Sequence, residues 1–303
     1  MDQAEQLRNI IKARDVAPRQ VARVITVTSG KGGVGKSNTS INLAIQFRKM
    51  GQRVIILDAD FGLANIEVMF GAVPKHNLAD LIYQGMNIKD IITWGPNEVG
   101  FISGGSGIAG MSNLNREHLT YIVQNLAELD AITDVIIVDT GAGISDAVLE
   151  FLVASGEILL VTTPEPTSIT DSYSLLKALS RHNRFSPENS QVKVITNKVE
   201  NAQEGQALFN KLNAVVARYL KMQLSYLGAV PEDPALNKAV MQQMPVSIQT
   251  PNAKSALAYE QIAQVLMNRE TSSNIKKRGM AAFFSHIVSG KKYAPNSSTG
   301  NIR

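Results

Sequence analysis

The chemistry in this chain is concentrated in the stretch SGKGGVGKSNTS, Ser29 to Ser40. Gly30, Gly35, Lys36 and Ser37 satisfy the spacing G-x-x-x-x-G-K-[ST], directly after a β-branched run and directly before a helical pattern. Glycines at Gly30, Gly32, Gly33 and Gly35 let backbone N–H groups, including those around Val34 and Asn38, turn toward phosphate oxygens. Lys36 supplies positive charge to the outer phosphates, and the Ser37 hydroxyl is placed to ligate Mg²⁺. A merely flexible turn would not require the Lys-Ser pair. Asp139, at the end of the buried run VIIVD, stands where a second metal-holding group is needed, although an aspartate there could also cap a helix. Asp58 and Asp60 close another apolar run in LDADFGLAN. From there one can act through the metal's waters and the other on an attacking water.

Lys31 is left over by this local chemistry. A lysine inside the loop cannot easily fold back onto the phosphate its own backbone cradles. It could reach a phosphate held by a second subunit, which suggests catalysis completed only in a dimer.

The elements that must position these groups read as a doubly wound α/β fold, a mostly parallel sheet with helices on both faces. Short runs of Val, Ile and Leu begin near Arg23, Gln52, Val99, Asp134, Glu157, Val192 and Leu224 and are nearly continuous, as in strands buried on both sides. Helical patterns lie between them, one over 37–50 closed by Gly51 and one over about 205–220. With 303 residues, 44% hydrophobic and 18% charged, the chain reads as a soluble globular protein with an ample core. It has no cysteine, which excludes disulfides, thiolate zinc sites and iron–sulfur clusters. No signal peptide or membrane-spanning run is visible, so a cytoplasmic protein is expected. The net charge of +4 is an ordinary surface bias.

KGGVGKS with its extra lysine, LDADFGLAN, VDTGAG, and the later TNK and VPEDP segments resemble the MinD/ParA family of deviant Walker A ATPases, over roughly Arg23 to Met267. DQAEQLR, Asp2 to Arg8, resembles the N-terminal motif of the flagellar number-and-placement branch of that family. The resemblance implies an ATP-dependent sandwich homodimer in which Lys31 contacts phosphates across the interface. It makes Lys36 and Ser37 the phosphate-loop pair, Asp60 the group positioning hydrolytic water, and Asp58 and Asp139 the support for Mg²⁺. Where many MinD proteins have D-x-P-A-G, this chain has Asp139-Thr140-Gly141-Ala142-Gly143, which leaves the stiffness of that segment open. In ITNKVE, Glu200 stands where a guanine-reading loop has Asp, which favours ATP. The resemblance implies that Asn197 meets the adenine, with backbone near Pro231 and Glu232 flanking it; by itself an asparagine there could also cap a strand end.

The chain divides by this reading into an N-terminal partner-activating segment (1–22), the ATPase domain (23–270), a C-terminal amphipathic helix (271–292) and a polar tail (293–303). Met280, Phe283, Phe284, Ile287 and Val288 form one apolar helical stripe flanked by Lys and Arg. The stripe suits an anionic membrane or the protein's own core. The resemblance favours reversible attachment to the inner face of the cell membrane. It also implies that Asp2, Gln3, Ala4, Leu7 and Arg8 engage FlhF, a signal-recognition-type GTPase, as an activator, and that flagellar basal-body proteins of the C-ring are partners. A division-site MinD and a DNA-partitioning ParA are the alternatives. The phenylalanine stripe argues against nucleic acid.

Overall fold

A computed structural model describes residues 21–60, 65–104, 125–270 and 279–290. Eight strands form one sheet, β1 (Arg23–Thr28), β2 (Val54–Ala59), β3 (Thr93–Trp94), β4 (Gly100–Ile102), β5 (Val135–Thr140), β6 (Glu157–Thr162), β7 (Gln191–Val199) and β8 (Ser225–Pro231). Their spatial order is β3-β4-β2-β5-β1-β6-β7-β8, parallel throughout except for the β3–β4 pair. The order reverses at β1, so the carboxyl end of that strand opens onto the crevice where doubly wound sheets bind ligands. The seven expected strands are all present. The short antiparallel edge β3 is an addition.

The sheet is buried on both faces because the strand residues alternate between two sets of helices. Ile25, Val27, Ile137 and Ile56 pack on one side against α1 (Lys36–Lys49) and α10 (Lys254–Glu270), around the buried Tyr259. Val24, Ile55, Ile136 and Val138 face the other side. Between α1 and α10 in the chain lie α2 (Asn65–Phe70), α3 (Leu78–Gln84), α4 (Leu129–Ile132), α5 (Asp146–Ala154), α6 (Pro166–Arg181), α7 (Ala202–Leu220), α8 (Pro234–Met241) and α9 (Val246–Gln249). Helices α1 and α7 match the two expected from sequence to within a few residues. At the amino end of the sheet, Arg23 makes a bidentate pair with Glu157, both N–O distances being 2.8 Å, and Lys193 adds a third buried charge.

The last described helix, α11 (Met280–Gly290), packs on the body. Met280, Phe283, Phe284 and Ile287, the stripe expected to face lipid, are buried at 5% exposure or less, in one cluster with Leu126, Leu129 and Phe151. Phe151 lies 6.0 Å from Phe283 and 6.4 Å from Phe284 between ring centroids. Burying three aromatic rings and a methionine removes enough apolar surface to hold an eleven-residue helix that would be marginal by itself. Both ends are tied to the body as well. Asp130 Oδ1 accepts from Met280 N at 2.9 Å, and Arg184 Nη1 donates to the His286 carbonyl at 2.6 Å while pairing with Glu150. The side chain of Val288 and the segment 271–278 lie outside the described residues.

Candidate functional site

The loop from Ser29 to Gly35 leaves β1 at its carboxyl end and enters α1. Two of its glycines have left-handed backbones, Gly33 at φ 76° and Gly35 at φ 93°, where a side chain would be strained. A Cβ on Gly35 would fall 2.2 Å from Asn197 Nδ2, and one on Gly30 would fall 2.2 Å from the backbone carbonyl carbon of Asp171. These glycines are therefore required by close approach as well as by turn shape. Gly35 caps α1 with no side-chain hydrogen bond, and the first turn of the helix contains no acid. Its free N–H groups and positive dipole end suit an anion. Gly143 N donates to Ser29 O at 3.0 Å, tying the segment after Asp139 to the start of the loop.

The acids converge beneath this loop. Lys36 Nζ lies 3.4 Å from Asp139 Oδ1, which also accepts from the Ser40 hydroxyl at 2.8 Å. Asp139 Oδ2 is buried without a hydrogen-bond partner. Asp58 is paired with Asp139 in the β2–β5 register, and burial first, then the neighbouring Asp139 charge, push its carboxyl up to about 7. Asp60 N donates to Asp58 Oδ1 at 3.0 Å, and Asn65 Nδ2 reaches Asp60 Oδ2 at 3.4 Å.

An orphaned carboxylate oxygen beside a carboxyl that resists ionisation is an environment a divalent cation relieves. The donors Ser37, Asp58 and Asp139 are all hard oxygens, and no cluster of three metal-ligating acids or histidines occurs among the described residues. That set fits Mg²⁺, which keeps waters and phosphate oxygens in its shell and needs only one or two protein carboxylates.

Lys31 sits on the outer edge of the loop, 36% exposed, and its amine is held by its own chain. It donates to Glu165 Oε2 at 2.5 Å and to the Thr167 hydroxyl at 2.9 Å. Asn197 lies behind the loop, 1% exposed. Its Nδ2 donates to Val34 O at 2.7 Å and its Oδ1 is buried without a partner, so half of the amide expected at an adenine is committed to the loop. Lys198 Nζ donates to Gly33 O at 2.9 Å. Pro231 ends β8, and Glu232 N donates to Val199 O at 2.9 Å, placing that corner beside the end of β7.

Ser40, Glu165 and Lys198 are absent from the sequence-derived site. TNK contains Lys198, but nothing in those three letters reports the backbone that turns it onto the loop. The residues expected to bind a partner, Asp2, Gln3, Ala4, Leu7 and Arg8, lie outside the described residues.

The ParA family model, described as NUBPL iron-transfer P-loop NTPase, matches residues 20–267. Antiactivator FleN of Pseudomonas aeruginosa is 40% identical over 262 residues, covering 86% of this chain and 91% of that protein. The flagellum site-determining protein YlxH of Helicobacter pylori is 34% identical, covering 88% and 90%. The chain belongs to the MinD/ParA family of P-loop ATPases, in its FlhG-type (FleN/YlxH) branch.

Membership makes the protein an ATPase. Among solved structures, MinD of Pyrococcus horikoshii complexed with Mg-ADP shares the fold at a TM-score of 0.64 and 22% identity, covering 84% of this chain and all of that one. The iron-transfer description belongs to other members of the family. This chain has no cysteine to hold a cluster. No described helix is long and apolar enough to cross a membrane.

Proposed function

We propose that the chain is an ATP-switched dimer that restrains flagellar number or position. It binds ATP with Mg²⁺ in the loop Gly30–Asn38, dimerises, hydrolyses the nucleotide and comes apart. Lys36 binds the outer phosphates, Ser37, Asp58 and Asp139 hold the metal, and Asp60 orients the attacking water. When bound, Mg²⁺ neutralises charge on the phosphates. Asn197, through its unpaired Oδ1, and the corner at Pro231 and Glu232 receive the adenine.

The observation that carries the dimer is Lys31. Its amine stands outside its own loop, anchored only at an exposed edge by Glu165 and Thr167, where a second subunit can reach it. Elsewhere on the surface Val68 on α2, Val73 just after it and Met241 on α8 are exposed at 57%, 87% and 86%.

Dimer formation also gives α11 a reason to leave its groove. Helix α5, which carries Phe151 and Glu150 beneath α11, begins three residues after Gly143, which is bonded to the phosphate loop. A shift of that loop is transmitted to the docked helix, whose phenylalanines and basic neighbours then bind an anionic membrane at the inner face of the cell. FlhF is engaged through the segment Asp2 to Arg8, and C-ring proteins of the basal body are the other partners. This reading rests on the FleN and YlxH likeness and on the DQAEQLR motif.

The test is the mass in solution by light scattering with ATP, ADP or no nucleotide, for wild type and Lys31→Ala. Wild type dimerises only with ATP, and the variant fails to form an active dimer. A wild type that binds ATP and stays monomeric sinks the switch.

A further inference from the structure

The site as described leaves one strained residue unexplained. Lys198 is a non-glycine residue with φ 56°, and it lies inside β7 at a register shift against β8. Asn197 pairs with Val230 and Val199 pairs with Pro231, so Lys198 is the extra residue of a bulge. In a regular strand the side chains of residues 197 and 198 would point to opposite faces. Here both reach the same loop and capture successive carbonyls, Asn197 Nδ2 that of Val34 and Lys198 Nζ that of Gly33.

Peptide planarity gives this capture a consequence. In a trans peptide unit the carbonyl and the N–H that follows it point in opposite directions. Holding the Gly33 and Val34 carbonyls toward β7 therefore turns the N–H groups of Val34 and Gly35 away from β7, into the concavity of the loop. Those are the groups that a loop of this type offers to phosphate. Gly35 is pressed against the Asn197 amide and Gly33 is left-handed, so the loop has little freedom to turn these units over by itself. The left-handed backbone at Lys198 is unfavourable for a side-chain-bearing residue. Without the bulge its amine would point to the other face of the sheet.

We propose that Lys198, with Asn197, is a positioning residue for the triphosphate. The strained bulge in β7 clamps the outer carbonyls of the loop and presets the Val34 and Gly35 N–H groups for the phosphates. This rests on reading Ser29–Ser37 as the phosphate loop. It assigns Lys198 to the phosphate side of the ligand and gives it no contact with the base.

Binding of MgATP, MgADP and inorganic pyrophosphate is measured by titration calorimetry for wild type, Lys198→Met, Lys198→Arg and Lys198→Gly, with thermal unfolding of each nucleotide-free protein. Lys198→Met weakens all three ligands by a similar factor, about tenfold, as expected for losing one charge-assisted hydrogen bond that organises the site. Lys198→Arg, which keeps a cationic donor, recovers most of the loss. Lys198→Gly separates organisation from stability, because it relieves the left-handed strain and raises the unfolding temperature while still weakening the phosphates.

Affinities within twofold of wild type in Lys198→Met or Lys198→Gly overturn the clamp. So does a loss for ATP and ADP that pyrophosphate does not share, since that places the lysine on the base side. If wild type binds neither nucleotide nor pyrophosphate, the phosphate-loop reading fails first and the clamp falls with it. Wild-type binding with unaffected variants removes the clamp alone.

Discussion

Asp58 and Asp139 stand opposite each other in register on adjacent parallel strands, both 2% exposed or less. Two carboxylates held this way repel, and a cation bound between them and the phosphates, as in the proposed function, would relieve the repulsion. Asp58→Asn preserves the oxygen that accepts from Asp60 N and removes one of the two charges. The nucleotide-free variant should therefore be more stable than wild type near pH 8, by on the order of 1 to 4 kcal/mol given a carboxyl displaced to about 7, and so unfold at a higher temperature. The added stability that Mg²⁺ and ATP together confer on wild type should shrink in the variant. Differential scanning fluorimetry with and without MgATP reads both effects. An unchanged nucleotide-free unfolding temperature would refute the repulsion.

The exposed tether on Lys31 leads to an opposite pair of variants. If Lys31 serves a second subunit, as proposed, Lys31→Ala should lower steady-state ATP turnover by about 100-fold or more, the usual scale for deleting one charge that stabilises a transition state. Glu165→Gln loosens the tether without touching the amine. It should shift the monomer–dimer balance toward dimer at a given ATP concentration, read by light scattering. If Glu165→Gln weakened dimerisation as Lys31→Ala does, Glu165 would belong to the interface itself.

Glu157, between Arg23 and Lys193, makes a prediction about acid stability. Burial alone would raise its carboxyl, but the bidentate Arg23 and the Lys193 amine outweigh that and hold it below the ordinary carboxylate range. A depressed carboxyl contributes stability that is present above its unfolded value of 4.5 and is lost as pH falls through the folded value. Glu157→Gln leaves two buried cations unneutralised, so it should cost about 3–5 kcal/mol at pH 7. The difference from wild type should narrow below about pH 4.5, where the wild type loses the same charge. Denaturant titrations at pH 7 and at successively lower pH compare the two. A deficit independent of pH would make the effect one of packing alone.

How much of this could be read in the sequence depends on how local each feature is. The phosphate loop and the acids at the ends of β2 and β5 are contiguous motifs, and seven strands announce themselves as buried Val and Ile runs. Thr93–Trp94 is too short to show any period, so β3 was invisible. Glu165 meets Lys31 from 134 positions away, and no spacing rule links them. Lys198 was legible as a letter and illegible as a conformation, because the bulge is set by pairing with β8. The C-terminal stripe shows the limit of periodicity. Met280, Phe283, Phe284 and Ile287 form an apolar face whether lipid or Phe151 covers it, and only tertiary packing chooses.

That choice can be forced by weakening the attachment of α11 without altering its apolar face. Arg184 satisfies the carbonyl of His286 and is itself positioned by Glu150, so Arg184→Ala removes the tie near the carboxyl end and leaves every phenylalanine in place. The docked state then loses stability relative to the released state, and the variant should bind vesicles containing anionic lipid more tightly than wild type in the absence of ATP. Phe283→Ala acts on both states. It opens a cavity against Phe151, costing about 3–5 kcal/mol of folded stability, and it also removes apolar surface needed by the membrane, so vesicle binding should fall even with ATP present. Co-sedimentation of the two variants and wild type, with and without ATP, separates the possibilities. Stronger binding by Arg184→Ala with weaker binding by Phe283→Ala means that groove and membrane compete for one helical face. If neither variant changes vesicle binding, α11 is a structural helix of the body and the membrane is reached by some other part of the chain.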